Sequence, residues 1–280
     1  MPKISSPLSS SRAQAIEESL LEYFAKLGEK SPQSFQIEEG SGGLYIAWLI
    51  SGVKYSDFNA VCLSKIPRDE ADQIIDRVLE PFKFSKVPME WWITPSSSPP
   101  DLRDRLEKRG LKLREEMWGM SADLSKLPET TELPSGLQVK RIENAYQMIE
   151  WVDCSGAAFG VPADQLSETL KLFDHGYDEE GDFVHYRGLL DGKIVATSSI
   201  LYGDDNAGLY DVATLPHARG KGIGRAMTLA PLLDARERGY KVGVLQASKM
   251  GYKIYESLGF KEECKMAVMS IDYSQAPPSS

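Results

Sequence analysis

Two distant segments of the sequence resemble each other at one constant separation. Residues 106–123 (LEKRGLKLREEMWGMSAD) align without a gap to residues 255–272 (YESLGFKEECKMAVMSID), with seven identical positions in eighteen at an offset of 149 residues. Chance seldom gives so many matches at one offset, although two amphipathic segments could coincide. The repeat therefore predicts a duplicated fold, in which each half of the chain forms a similar unit.

A polar segment separates the two halves. Residues 124–136 (LSKLPETTELPSG) are poor in core-forming side chains and contain Pro128, Pro134 and Gly136, a composition typical of a linker. A chain of 280 residues is long enough for two domains of ordinary size. We expect a first domain at 1–128, a linker at 129–136, a second domain at 137–274 and a disordered tail at 275–280.

Hydrophobic patterning gives the order of elements in the second half. The predicted elements are strand 136–142, helices at about 144–158 and 163–173, strands 182–190, 193–202 and 207–215, a helix at about 222–238, strand 241–247, helix 249–259 and strand 261–271. The turn Asp191-Gly192 favours a hairpin between two of these strands. The first half repeats the later part of this order between residues 35 and 123. With helices and strands mixed in both halves, the sequence predicts an α/β (α+β) fold.

The charge balance limits the classes of partner. With 41 acidic against 32 basic residues the net charge is -9, which argues against a nucleic-acid partner or an anionic membrane surface. The longest apolar runs, such as residues 44–50 (LYIAWLI), are too short to cross a bilayer, and the N-terminus has no apolar signal core. We expect a soluble cytoplasmic protein, a monomer or homodimer, that suits a cationic small molecule.

Three isolated cysteines give no sign of a metal centre. Cys62, Cys154 and Cys264 lie far apart without CxxC pairing, and the chain has only three histidines. This spacing is unlike that of a zinc site or a disulfide framework, so we expect free thiols and no metal.

A glycine-rich loop precedes one predicted helix at residues 217–227 (HARGKGIGRAM). The first N–H groups of a helix have no partners and carry partial positive charge, so such a loop can hold phosphates. A Rossmann motif would need glycine at position 225 or 227, where the chain has arginine and methionine, and Lys221 is followed by glycine rather than by the Ser or Thr of a Walker loop. The pattern that fits is R-x-x-G-x-G, formed by Arg219, Gly222 and Gly224.

Together with a second motif, this loop resembles the GNAT N-acetyltransferase superfamily. Residues 247–260 (ASKMGYKIYESLGF) are similar to a later motif of that family, in which a polar residue stands seven positions before a tyrosine, here Ser248 and Tyr255. The resemblance covers roughly residues 137–272. It implies two tandem GNAT-like domains, each a mixed, mostly antiparallel sheet flanked by helices, with acetyl-coenzyme A as the co-substrate.

The resemblance also implies roles for individual residues. The strand before the loop would hold the thioester and pantetheine through its backbone, Arg219 would add charge, and Ser248, in place of the family's common asparagine, would bond pantetheine through its hydroxyl. The backbone of the loop itself would bind the pyrophosphate. The residues concerned are Val212, Ala213 and Thr214 in the strand, and Gly220, Lys221, Gly222, Ile223, Gly224 and Arg225 in the loop. Ordinary solvated charge is the alternative for Arg219 and Lys221.

Two side chains are the candidates for proton transfer. Tyr255 matches the family's usual general acid, since a phenol with a pKa of ~10 is protonated at neutral pH and can donate to a leaving thiolate. Asp211 is the nearest carboxylate by sequence to the acetyl site and is our candidate general base, although strand alternation could equally point it to solvent. Twelve acidic residues against three basic ones between Asp153 and Asp211 suggest an acidic acceptor pocket or, for most of them, a solvated face.

The first half lacks the coenzyme motif. Its corresponding segment, residues 65–76 (KIPRDEADQIID), has no glycine, its carboxylates at Asp69, Glu70 and Asp72 would repel a pyrophosphate, and Leu106 stands at the position matching Tyr255. We expect a degenerate GNAT-like copy that shapes the acceptor pocket or covers the catalytic half. Phe159, Trp91 and Trp92 could line a pocket or fill cores, and core is the expectation for the tryptophans.

The resulting hypothesis is an N-acetyltransferase that moves an acetyl group directly from acetyl-coenzyme A to the amine of a small, cationic molecule in a ternary complex. Nothing in the sequence resembles an activated Cys–His nucleophile, so no covalent enzyme intermediate is expected. Two alternatives stay open: a non-catalytic protein that senses coenzyme A or binds a partner, and an enzyme that acetylates a protein or peptide.

Overall fold

The computed structural model describes residues 11–30, 34–130, 133–177 and 180–274, and the strands of this part of the chain form one continuous sheet. The predicted α/β class, with a mostly antiparallel sheet flanked by helices, is confirmed. The first half contains α1 (Arg12–Gly28), β1 (Phe35–Glu39), β2 (Tyr45–Ile50), β3 (Asn59–Lys65), α2 (Ala71–Ser85), β4 (Pro88–Ile93), α3 (Leu102–Glu107) and β5 (Lys112–Asp123). The predicted tail at 275–280 lies outside the described residues.

The second half follows the predicted order closely. Its elements are β6 (Leu137–Arg141), α4 (Ala145–Phe159), α5 (Leu166–Phe173), β7 (Phe183–Leu190), β8 (Lys193–Tyr202), β9 (Ala207–Thr214), α6 (Ile223–Glu237), β10 (Val242–Ala247), α7 (Tyr252–Ser257) and β11 (Lys261–Asp272). Helix α7 is shorter than the predicted 249–259. Asp191 and Gly192 both have positive φ, as the hairpin turn between β7 and β8 requires.

The two halves exchange their last strands. The sheet order is β1-β2-β3-β4-β11-β5-β10-β9-β8-β7-β6, so β11 pairs with β4 and β5, and β5 pairs with β10. All neighbouring strands are antiparallel except β3/β4 and β9/β10. Strands from both sides of the predicted linker therefore belong to one sheet. The domain limits 1–128 and 137–274 stay a prediction.

Helix α1 is an element that we did not predict from the sequence. Ser11 caps it by accepting a hydrogen bond from the Gln14 N–H, and its buried face repeats at helical spacing, with Ile16, Leu20 and Phe24 at most 2% exposed. The helix packs against β2, β3 and β5 on one side and β9 and β10 on the other. It thus lies across the junction of the two halves. None of the described helices is both long and apolar enough to span a lipid bilayer.

Strands β9 and β10 separate after a short parallel contact. Only Ala207 and Gly208 of β9 are in register with β10, and beyond them the two strands diverge. A β-bulge interrupts the pairing of β9 with β8 between Tyr210 and Ala213, and within it Asp211 takes a left-handed backbone conformation with φ of 54°. Such a conformation is strained for a residue other than glycine and is often found at functional sites.

The equivalent gap in the first half is closed by the chain itself. Strands β3 and β4 also pair over only two positions, but Ser98 then forms a parallel bridge to Lys65 at the end of β3. The Ser98 N–H donates to the Ser64 carbonyl oxygen at 3.0 Å, and the Ile66 N–H donates to the Ser98 carbonyl oxygen at 3.2 Å. The backbone groups at this strand end are therefore already bonded.

Candidate active site

The glycine-rich loop presents a series of free N–H groups at the start of α6. Within the described residues, no hydrogen bond is donated by the N–H groups of the six consecutive residues from 220 to 225. Gly220 and Gly222 have φ of 76° and 78°, the left-handed region that favours glycine, and Gly222 is the N-cap of α6 without a side-chain cap. This arrangement leaves Gly224, Ile223 and their neighbours able to bind an anion.

The charged side chains of the loop differ in their surroundings. Arg219 donates from Nε to the Thr214 carbonyl oxygen at 3.0 Å, which holds the loop to the end of β9. Arg225 donates to the Ser257 hydroxyl at 3.1 Å and so joins α6 to α7. Lys221 is exposed. The side chains of Arg219 and Arg225 therefore brace the loop, while its backbone N–H groups are left free of protein partners among the described residues.

A cavity of about 220 Å³ lies beside the diverging part of β9 and β10. Its wall includes Val212 of β9, Ser248 after β10 and Tyr255 of α7, together with Asp211. Ala213 and Thr214 continue β9 toward the loop, on the open side of the strand pair. The predicted pantetheine strand, the predicted acid and the predicted base thus meet around one space.

Tyr255 is positioned by a residue without a side chain. It is buried, with an exposed fraction of 9%, and burial raises the pKa of its phenol to about 12. A Cβ on Gly251, one turn earlier, would lie only 2.6 Å from Tyr255 Cε2, so the ring occupies space that only glycine leaves open. The phenol is therefore protonated at neutral pH and can donate a proton.

Ser248 has a local structural contact as well as a place in the cavity wall. Its hydroxyl oxygen accepts a hydrogen bond from the Gly251 N–H at 3.3 Å, and its carbonyl oxygen accepts from the N–H groups of Gly251 and Tyr252. These bonds organise the start of α7. The hydroxyl proton is left over, so Ser248 can still donate to a ligand in the cavity.

Asp211 is the described member of the acidic segment 153–211 that lines the cavity. Burial raises the pKa of its carboxyl group to about 6, while a hydrogen bond from the Tyr23 hydroxyl to Oδ1, at 2.9 Å, opposes the rise. Oδ2 is buried and has no hydrogen-bond partner among the described residues. A carboxyl group with such a pKa is largely ionised at neutral pH and is suited to accept a proton.

The expected acidic pocket is formed by different residues from those that the sequence suggested. The other described acids of segment 153–211 are absent from the cavity wall, and Asp178 and Glu179 lie outside the described residues. Beside Asp211 the cavity carboxylates are Asp57 and Glu90, both from the first half and both paired with Arg114. The acidic surface is therefore shared between the halves.

Aromatic side chains from both halves complete the wall. Tyr55 of the first half donates a hydrogen bond from its hydroxyl to the Phe159 carbonyl oxygen at 2.8 Å, and both residues line the cavity. Trp91 is fully buried in the core, as expected, whereas Trp92, one residue on and on the other face of β4, lines the cavity. Trp92 is also buried in a hydrophobic core, as expected, so it serves both the core and the cavity wall.

The contribution of the first half to this site was not predicted from the sequence. Tyr23, Asp57 and Glu90 belong to no motif, and each comes close to β9 only through the sheet junction. The signal that could have found Tyr23 is the helical spacing of Ile16, Leu20 and Phe24 after the Ser11 cap, which indicates a helix with a buried face.

Comparison with known proteins agrees with this geometry. Residues 181–262 match a family model described as an acetyltransferase (GNAT) domain. A protein named mycothiol acetyltransferase from Thermomonospora curvata is 29% identical over 163 residues, which are 55% of this chain and 52% of that protein. Another of that name, from Thermobispora bispora, is 30% identical over 164 residues, 54% of this chain and 55% of that protein. The chain spans about half the length of these curated relatives.

Solved structures share the whole fold. A GCN5-related N-acetyltransferase from Kribbella flavida superposes with a TM-score of 0.70 at 16% identity, covering 94% of this chain and 96% of that one. A tandem GNAT protein from the clavulanic acid biosynthesis pathway superposes with a TM-score of 0.53 at 11% identity, covering 94% and 97%. At such identities the likeness concerns the fold alone. Taken with the loop, these comparisons show that residues 181–262 of the chain are similar to the acetyltransferase (GNAT) domain.

Proposed function

We propose that the protein is an N-acetyltransferase that moves the acetyl group of acetyl-coenzyme A to the amine of a small, cationic molecule, in a ternary complex. The observation that carries the proposal is the placement of Tyr255 and Asp211 around one cavity beside the diverging strands. The mycothiol acetyltransferases that the chain resembles support acetyl transfer as the reaction class.

The residues present fit acetyl-coenzyme A. The N–H groups of residues 220–225 suit its pyrophosphate, because they donate no hydrogen bond to another described residue and lie at the positive N-terminal end of α6. The unpaired edge of β9 at Val212, Ala213 and Thr214 suits the amides of pantetheine. Ser248 would donate a hydrogen bond from its hydroxyl group to the pantetheine.

Proton transfers at two named atoms would accompany the reaction. As the amine nitrogen bonds to the acetyl carbon and the carbon–sulfur bond breaks, Asp211 would take a proton from the amine. Tyr255 would give its phenol proton to the departing sulfur, which otherwise would leave as a thiolate. These two transfers need a protonated phenol and an ionised carboxylate at the start. Burial keeps the Tyr255 phenol protonated, and the Asp211 carboxyl group, with a pKa of about 6, is ionised at neutral pH.

The cavity favours a small cationic acceptor. Its volume of about 220 Å³ suits a small molecule, and Asp57, Glu90 and Asp211 place three carboxylates in its wall, of which two share Arg114. Aromatic neighbours such as Tyr55 and Trp92 attract a cation through their ring faces. A protonated amine would therefore be drawn to the cavity, where it would first release its ammonium proton to solvent. Asp211 would then take the proton that the neutral amine loses as the new bond forms.

Binding of the coenzyme can be tested with two matched glycines. Gly222 and Gly239 stand at the two ends of α6, both have left-handed φ, and a Cβ at either meets no atom closer than 3.6 Å. Alanine therefore costs the fold a similar amount at each, on the order of 1 kcal/mol. In calorimetry, Gly222→Ala should weaken acetyl-coenzyme A binding about tenfold or more, while Gly239→Ala should bind as the wild type does.

Measurement of turnover distinguishes an enzyme from a protein that only senses coenzyme A. Release of free thiol from acetyl-coenzyme A should require a small amine, and Tyr255→Phe should reduce it about 100-fold with coenzyme binding retained. Asp57→Asn should raise the KM for cationic amines more than for neutral ones. Binding of acetyl-coenzyme A without amine-dependent thiol release for any amine of a broad panel would instead identify a non-catalytic binding protein. Absence of binding would refute the proposal altogether.

A further inference from the structure

Tyr23 of helix α1 contacts the candidate base across the junction of the two halves. Its hydroxyl donates a hydrogen bond to Asp211 Oδ1 at 2.9 Å, although 188 residues separate the two in sequence. Tyr23 is 8% exposed, and no segment near Asp211 in sequence supplies an equivalent donor to Oδ1 in the described part of the chain. The contact therefore depends on the packing of α1 against strands of both halves.

The ring of Tyr23 is held in place by its neighbours. It stacks on Tyr210, with ring centroids 4.1 Å apart and an interplanar angle of 11°, and the Tyr210 hydroxyl shares a 2.8 Å hydrogen bond with Ser19 of the same helix. A Cβ on Gly208 would collide with Ser19 and Tyr210, so a glycine at that position lets α1 approach β9. These contacts fix both the position and the direction of the Tyr23 hydroxyl.

We propose that Tyr23 is a positioning residue for Asp211, so that the first half of the chain completes the catalytic site of the second. The inference rests on the proposed function, in which Asp211 accepts the amine proton. The hydrogen bond from Tyr23 to Oδ1 would fix the orientation in which the carboxyl group lines the cavity. Asp211 also has a strained backbone, with φ of 54°, as residues at functional sites often do.

The groups that face Asp211 decide the direction of its pH dependence. On α1, burial and Asp211 itself raise the pKa of Tyr23, so its hydroxyl remains a donor. Asp57, from the first half, is a like charge that raises the pKa of Asp211 further. The Ser199 hydroxyl of β8 has the opposite effect, and His185, bonded to Ser199, is neutral at neutral pH because burial lowers its pKa to about 3. Removing the Tyr23 hydroxyl must therefore raise the pKa of Asp211.

The test is Tyr23→Phe, which keeps the ring and removes the donor. The pH profile of kcat/KM for an amine acceptor should show its acidic limb moved upward by about one pH unit, with kcat lowered about tenfold. Tyr177→Phe is the matched control, since the Tyr177 hydroxyl makes a similar 2.8 Å bond to Asp174, and neither residue belongs to the cavity wall. That variant should retain the wild-type profile. An unchanged acidic limb and kcat in Tyr23→Phe would overturn the proposal.

A double-mutant comparison separates this inference from the function on which it rests. If Tyr23 acts through Asp211, the double variant Tyr23→Phe, Asp211→Asn should be no slower than Asp211→Asn alone. Full additivity of the two losses would refute a positioning role. If Asp211→Asn instead retains wild-type kcat and acidic limb, the base assignment fails. Thermal unfolding of each variant would identify any loss that comes from the fold.

Discussion

Replacing Asp211 by asparagine should make the protein less active and more stable at neutral pH. Burial raises the pKa of this carboxyl group from 3.8 to about 6 in the folded protein. One pKa unit corresponds to ~1.4 kcal/mol, so ionised Asp211 lowers the free energy of unfolding by about 3 kcal/mol. Asparagine keeps the shape of the side chain and an acceptor for the Tyr23 hydroxyl but cannot ionise.

The sign follows from proton binding. Between its ordinary pKa and about 6, Asp211 is protonated in the folded state and ionised in the unfolded state, so stability falls as the pH rises through this window. The difference in unfolding free energy between Asp211→Asn and the wild type should therefore grow by about 2.4 kcal/mol from about pH 4 to about pH 8. Urea unfolding at a series of pH values measures this difference directly.

A carboxylate with the opposite surroundings supplies the control. The hydrogen bond from Arg109 lowers the pKa of Asp76, so ionisation of Asp76 favours the folded state and its contribution to stability is lost as the pH falls. Asp76→Asn should therefore be less stable than the wild type at neutral pH, and the deficit should shrink in acid. A difference in unfolding free energy between Asp211→Asn and the wild type that does not change with pH would refute the argument that burial disfavours the ionised form of Asp211.

Two further outcomes are expected. Gly251→Ala should lower kcat at least tenfold without weakening coenzyme binding, because the added Cβ would displace the Tyr255 ring. Gly43→Ala, at a glycine with open space around it, should leave kcat unchanged. Equal kcat in Gly251→Ala and wild type would contradict this placement of the ring. Titration of the intact protein with coenzyme A, followed by native mass spectrometry, should reach one molecule per chain, because Ser98 occupies the strand edge of the first half, and two molecules would show that this edge is not closed.

The parts of the site that the sequence predicted are those formed by short-range structure. The loop at Arg219–Arg225 is set by glycines with left-handed φ followed directly by a helix, and the placement of Tyr255 depends on Gly251 one helical turn away. Both relations lie within a few residues of sequence, where spacing determines geometry. The predicted strands of the second half follow the same logic, because each is bounded by turn residues such as Asp191-Gly192.

The parts that could not be predicted depend on the sheet order. Hydrophobic patterning shows that β5 and β11 are strands, but the patterns of two similar strands do not determine which half each one joins. Asp57 and Glu90 reach the cavity only because that exchange and helix α1 bring the first half against β9. The acidic character of the pocket was expected from local composition, whereas most of its carboxylates come from the other half of the chain.

The strand exchange gives a physical reason why a half without its own coenzyme loop can still matter for catalysis. In the first half, Ser98 closes the gap between β3 and β4, and the carboxylates of Asp69 and Glu70 replace the glycine loop. Both halves nevertheless contribute to one sheet, because β5 lies between β10 and β11, and β11 lies between β4 and β5. The first half thus lacks the open strand edge of the second, while α1 packs against β9 and places the Tyr23 hydroxyl beside Asp211. Under the proposed function, the second half would hold the acyl donor and the first half would form part of the wall that faces the amine.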